Sequence, residues 1–151
     1  MQEFMKLTGS VSVKLFGPNG ELKQSHVDHN LIVTVGKNYI TAWLAAATQS
    51  TEFMSYVALG TGTTSPASGD TALQTELSGG GYTRVQGTLT SSTNTWTNTV
   101  SFGPGNGTAA ITEAGLFSTI TSGTMFARQV FAAYNKAAGD TLQITWSVSF
   151  N

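Results

Sequence analysis

The chain has 151 residues, no cysteine, 17 glycines, only 10% charged residues and a net charge of −1. Serine and threonine fill 39 positions (15 Ser plus 24 Thr), and since an average soluble domain carries about 25% charged residues, the polar surface here is mostly hydroxyl and amide. The 40% hydrophobic content excludes a disordered chain, the near-neutral charge leaves no basic footprint for nucleic acid, and the absence of cysteine excludes a disulfide scaffold and thiol chemistry.

The length fits one domain over 1–151, with a short N-terminal arm at about 1–5. The first six residues, MQEFMK, contain no apolar run, so they do not read as a signal peptide. The longest uncharged stretch, residues 85–112, is polar and unfit to cross a bilayer as a helix.

Residues 5–15 alternate. Met5, Leu7, Val11, Val13 and Leu15 share one face, and lysines and hydroxyls share the other. Period 2 predicts a half-buried strand, with Gly9 marking a bulge or a close approach. Gly17-Pro18-Asn19-Gly20 predicts a turn. A return strand is expected over residues 22–35. Gly36-Lys37-Asn38 breaks this pattern, and Tyr39, Ile40, Trp43, Leu44 and Ala47 follow at helical spacing. They predict one short helix at about 37–47.

Further strands are expected over 53–59, 82–90, 95–102, 109–119 and 124–133. Glycine-rich joints fall at 60–62, 79–81 and 103–107, and Ser122-Gly123 marks a turn. The last segment alternates most cleanly. Leu142, Ile144, Trp146, Val148 and Phe150 face the core opposite Thr141, Gln143, Thr145, Ser147 and Ser149. About eight strands without βαβ alternation predict an all-β fold. The expected form is an antiparallel β-sandwich with jelly-roll or Greek-key connections.

Candidate chemistry is sparse. His26, Asp28, His29 and Asn30 form the one cluster of metal-type side chains, and a hydrated strand face explains it better than a site short of further ligands. Gly60-Thr61-Gly62-Thr63-Thr64 lacks the Lys of a phosphate loop and reads as a strand-end turn. Ser25, His26 and Asp28 make a catalytic trio only on paper, since no nucleophile elbow is present. Glu113 sits in an apolar stretch, and an ion pair to Arg84 or Arg128 accounts for it without catalysis. Asn106-Gly107-Thr108 is a glycosylation triplet of the kind that arises by chance. No catalytic residue, metal ligand or cofactor is assigned. Trp43, Trp96 and Trp146 are expected in the core. Tyr82 and Tyr134, each beside a loop, are expected to be exposed contacts.

Three stretches resemble a known group. They are NLIVTVGKNYI at residues 30–40, YVALGTGTTSP at 56–66 followed by DTALQTEL at 70–77, and ITEAGLF at 111–117 followed by MFARQVF at 125–131 and GDTLQITW at 139–146. Together they resemble small structural proteins of tailed bacteriophages, of the capsid-decorating (cement) kind and some tail or baseplate proteins. The resemblance implies a non-enzymatic β-sandwich subunit, a homo-oligomer, bound to the major capsid protein lattice on the outer face of the virion. Such a protein is made in the host cytoplasm and engages no nucleic acid or membrane. A tail, baseplate or fibre component is the alternative, and a carbohydrate-binding module using Tyr82 or Tyr134 is the second. Terminal strands can pair with a neighbour's sheet, which makes the arm, with Met1, Gln2 and Phe4, the first candidate contact. Residues 83–108 match nothing in that group.

Overall fold

A computed structural model describes residues 6–46 and 53–151. Among them, ten strands and one helix follow in order: β1 Leu7–Phe16, β2 Leu22–His29, β3 Leu31–Ile32, α1 Thr34–Ala45, β4 Tyr56–Gly60, β5 Val85–Gln86, β6 Thr88–Ser92, β7 Thr95–Phe102, β8 Ala109–Phe117, β9 Met125–Lys136 and β10 Thr141–Phe150. They form two five-stranded sheets, ordered β2-β1-β10-β7-β6 and β3-β9-β8-β4-β5. The strand pairings are antiparallel throughout.

The alternating strands place their apolar faces as their periodicity requires. Val11, Val13 and Leu15 from β1 and Leu142, Ile144, Trp146 and Val148 from β10 are buried. They share one cluster with Leu59, Ile111, Leu116 and Phe126 of the second sheet. Burying a side chain of this size contributes about 1.5–3 kcal/mol, so this shared cluster is what holds the two sheets together. Gly9 is a close approach, because a Cβ there would lie 2.3 Å from Asn30 Oδ1.

Several expected boundaries are corrected. The return strand does not run unbroken over 22–35. It leaves the first sheet after His29, and Leu31–Ile32 pair with β9 in the second. Val27 is consequently 64% exposed while Val33 is fully buried. The helix begins at Thr34, ahead of the expected 37, and the expected end at Ala47 lies outside the described residues. Gly36 does not break the chain there. It lies inside the helix, where a Cβ would meet the Phe126 carbonyl at 2.4 Å. The single strand expected over 82–90 is two pieces in different sheets, β5 and β6. Gly87 divides them, its N–H donating to the Ser55 carbonyl at 2.7 Å. Its missing side chain makes room for the buried Asn98, whose Oδ1 would lie 1.7 Å from a Cβ at Gly87. Ser122 and Gly123 take positive φ, 56° and 73°, as their turn demands.

Candidate functional site

The resemblance-bearing stretches meet at one buried carboxylate. Glu113 on β8 is fully buried. Its Oε1 accepts the N–H groups of Gly62 (3.0 Å) and Thr75 (2.7 Å), and its Oε2 accepts that of Gln74 (3.1 Å). Arg128 on β9 donates Nε to Oε2 at 2.9 Å, Nη1 to Asp70 at 2.8 Å and Nη2 to the Thr64 carbonyl at 3.0 Å. Asp70 also accepts the Ala67 N–H. That bond chiefly, helped by Arg128, holds its carboxyl below the usual range against the opposing effect of burial. Gln74 Oε1 takes the N–H groups of Thr63 and Thr64. The loop amides that a phosphate would need are therefore already bonded within the chain. The expected ion pair of Glu113 is the one to Arg128, while Arg84 pairs with Glu76 at 2.7 Å and lies over the Phe117 ring.

A second charge cluster ties the β9–β10 turn to β2. Asp140 accepts from Lys23 at 2.7 Å and from the Ala137 N–H at 3.0 Å. These two, in that order, draw its carboxyl below the usual range. Lys136 is fully buried and donates to the carbonyls of Asn106 and Ala137. Burial pulls its ammonium below the usual lysine value, partly offset by Asp140.

The sequence-derived candidates do not converge. Met1, Gln2 and Phe4 lie outside the described residues. Tyr82 and Tyr134 are corrected from exposed to buried, at 3% and 1% exposure. Each lies beside a loop but turns its ring into the core. Their hydroxyls donate inward, Tyr82 to the Gly107 carbonyl and Tyr134 to the Val13 carbonyl. Trp146 is buried and Trp96 packs on Phe126, but Trp43 is 37% exposed and so departs from the expected core role. Ser25 pairs with Lys14 on the outer face of β2, opposite His26 and Asp28, so alternation separates the paper trio. Asp28 accepts from Gln129 at 2.9 Å. Asn106 donates its amide to the Gly81 carbonyl.

Two surface features stand out instead. On the outer face of the first sheet, pairing builds three rows of four hydroxyl residues. These are Ser12-Thr145-Thr99-Thr88, Ser10-Ser147-Thr97-Thr90 and Thr8-Ser149-Thr95-Ser92. Neighbouring hydroxyls bond across strands, Thr90 to Thr97 at 2.6 Å, Thr95 to Ser149 at 2.7 Å and Thr99 to Thr145 at 3.1 Å. Among the described residues on this face of β1, β10, β7 and β6, Lys14 carries the one charge. Around the edge of the same sheet lies an apolar groove of about 670 Å³. Ile40, Trp43 and Leu44 of α1 line it together with Leu89 of β6 and Trp96 of β7. Phe126 and Phe150 also line it, and among the described residues no charged one does. The individual residues are readable in the sequence, but their grouping depends on strand register and on the split at Gly87.

Comparison of the chain with protein-family models, curated proteins and solved structures finds no match.

Proposed function

We propose that the chain is a non-enzymatic structural protein of a tailed-phage virion, a capsid-decorating subunit that binds the assembled major capsid protein lattice. In this reading the two sheets form a β-sandwich with jelly-roll or Greek-key connections, and the adjacency of β1 and β10 supports such a return of the chain. The observation that carries the functional reading is the twelve-position hydroxyl face. Charged groups are costly to dehydrate at a protein contact unless paired, whereas hydroxyls can bond directly or through water across a wet interface. A face with one lysine therefore suits lying against other protein. A repeating lattice adds multivalent gain if the subunit is itself oligomeric.

The motifs that resemble virion proteins support the same reading from another side. They converge on the Glu113–Arg128 pair, a device that fixes a loop rather than performs chemistry. The test is binding of the purified protein to particles that lack it. Wild type should reach many copies per particle and raise the temperature at which the shell opens. Ser147→Lys, in the middle of the hydroxyl face, should bind less without losing stability. A copy number of only a few, matching tail symmetry, would replace the reading with a tail or baseplate role.

A further inference from the structure

Sheet edges offer unpaired backbone groups, and proteins blunt them with lysine, proline, bulges, short length or cover. The four edges here differ in this respect. β3 and β5 have two residues each. β2 carries Lys23, His26, Asp28 and His29, and its pairing with β1 has a register shift. β6 has five residues, TLTSS, all exposed, with no charge, no proline and no register shift against β7. It is the one edge both long and unprotected among the described residues.

The groove lies beside this edge. Seven large hydrophobic residues are exposed among the described ones, and four of them line it: Trp43 (37%), Leu44 (66%), Phe53 (55%) and Leu89 (41%). Contiguous exposed apolar surface of this kind marks an interaction site.

We propose that a second copy of this chain pairs with β6 along its free edge, antiparallel and two-fold about Thr90. In that register Thr90 meets Thr90 of the second copy, Leu89 meets Ser91, and Thr88 meets Ser92. The β6–β7 hairpin closes on Ser92 and Thr95 around Thr93, at φ 54°, and Asn94. Ladder bonds alternate along an antiparallel pair, and a two-residue hairpin closes on a bonded pair. Thr88, Thr90 and Ser92 therefore bond to β7, and Leu89 and Ser91 present their N–H and C=O groups at the edge. These are the two residues that face each other across the two-fold axis, so each donor meets an acceptor. On the inner side, Leu89 of the second copy enters the mouth of the groove. On the outer side, two hydroxyl faces join. Among the described residues no charged one lines the groove, so the described parts of two identical surfaces meet without repulsion, as a two-fold interface requires. Self-pairing at β6 requires neither a capsid nor a tail partner.

The absence of cysteine allows a direct test with the full chain. In a non-bonded antiparallel pair the Cα atoms lie about 4.5 Å apart, within the disulfide range of about 4.4–6.8 Å. Thr90→Cys should give, under mild oxidation, a covalent dimer of twice the 15.8 kDa chain mass. Thr145→Cys, on the same face but two strands inward, should stay uncrosslinked. Light scattering across a dilution series should show a wild-type dimer. Ser91→Lys should be monomeric with an unchanged circular dichroism spectrum. A wild type that is monomeric throughout overturns the proposal. So does a dimer that Ser91→Lys leaves intact, or one in which Thr90→Cys crosslinks no faster than Thr145→Cys. Because oligomeric state is read in free solution, failure here is separate from failure to bind a shell.

Discussion

The guanidinium of Arg128 lies 2.8 Å from the carboxylate of Glu113, and the two side chains are 3% and 0% exposed. Around this pair the chain fastens a loop that has almost no regular structure of its own. Residues 61–75 lead away from β4, and their amides and carbonyls end on Glu113, Gln74, Asp70 and Arg128. A buried ion pair is weak evidence of net stabilisation, because dehydration opposes the attraction. Its role here is positional, since both carboxylate oxygens and the guanidinium find specific backbone partners.

Breaking one side of this pair is expected to cost more than the pair contributes. Glu113→Gln keeps the shape but places an amide among the N–H donors of Gly62, Gln74 and Thr75, and leaves Arg128 buried with only Asp70 as a counter-charge. The expected loss is about 3–5 kcal/mol. Arg128→Met should cost a similar amount. A double-mutant cycle by denaturant unfolding should show the two losses far from additive. Additive losses would mean that the two residues act separately.

The glycines of the same loop can be tested one by one. A Cβ at Gly60 or Gly62 would stand 2.5 Å from Glu113 Oε1, and the carboxylate cannot withdraw without releasing its amide partners. Gly60→Ala and Gly62→Ala should each destabilise by about 1–3 kcal/mol. A Cβ at Gly69 would meet no atom within 4 Å, and its φ is not positive. Gly69→Ala should be neutral or stabilising by up to about 1 kcal/mol, through the unfolded chain. Thermal melts of the three variants separate close packing from flexibility as the reason for these glycines.

The terminal strands are legible in the sequence because periodicity speaks directly to burial. β10 runs over Thr141–Phe150 with Leu142, Ile144, Trp146 and Val148 buried, as alternation requires. Sheet assignment is not legible. Nothing in residues 22–35 marks Asn30 as the point where the chain changes sheet, because a switch depends on which strand lies nearest, not on local pattern. Gly36 misleads for the same reason. Its lack of a side chain serves a contact with Phe126, ninety residues away (126 minus 36), and not a local break. Tyr82 and Tyr134 escape a sequence reading because loop proximity along the chain does not determine which way a ring turns. The hydroxyl face is half in view, as the outer side of β10, but the matching rows from β1, β7 and β6 follow only from register.

The two buried tyrosines can be tested by titration. Burial pushes both phenols above the usual tyrosine value. Absorbance at alkaline pH should show late-titrating phenol, and Tyr82→Phe or Tyr134→Phe should each remove part of it. Each substitution also deletes one inward hydrogen bond and should cost about 0.5–1.5 kcal/mol. A variant that lost only early-titrating phenol would place that ring at the surface.

Acid should loosen the loop and the β9–β10 turn together. Asp70 is held below its ordinary value chiefly by the Ala67 N–H and then by Arg128, and Asp140 by Lys23 and the Ala137 N–H. A carboxyl depressed in the folded state stabilises fully above its unfolded value, about 3.9. That contribution is lost as pH falls through the folded value. Between the two values the unfolded chain binds more protons, so stability rises with pH there and is flat above. Unfolding midpoints measured downward from about pH 6 should hold steady until near the unfolded carboxyl value and then fall. Asp70→Asn and Asp140→Asn should each lower stability at neutral pH and flatten the acid limb, because the group that titrates has been removed. An acid limb equally steep in both variants would assign the sensitivity to other carboxylates.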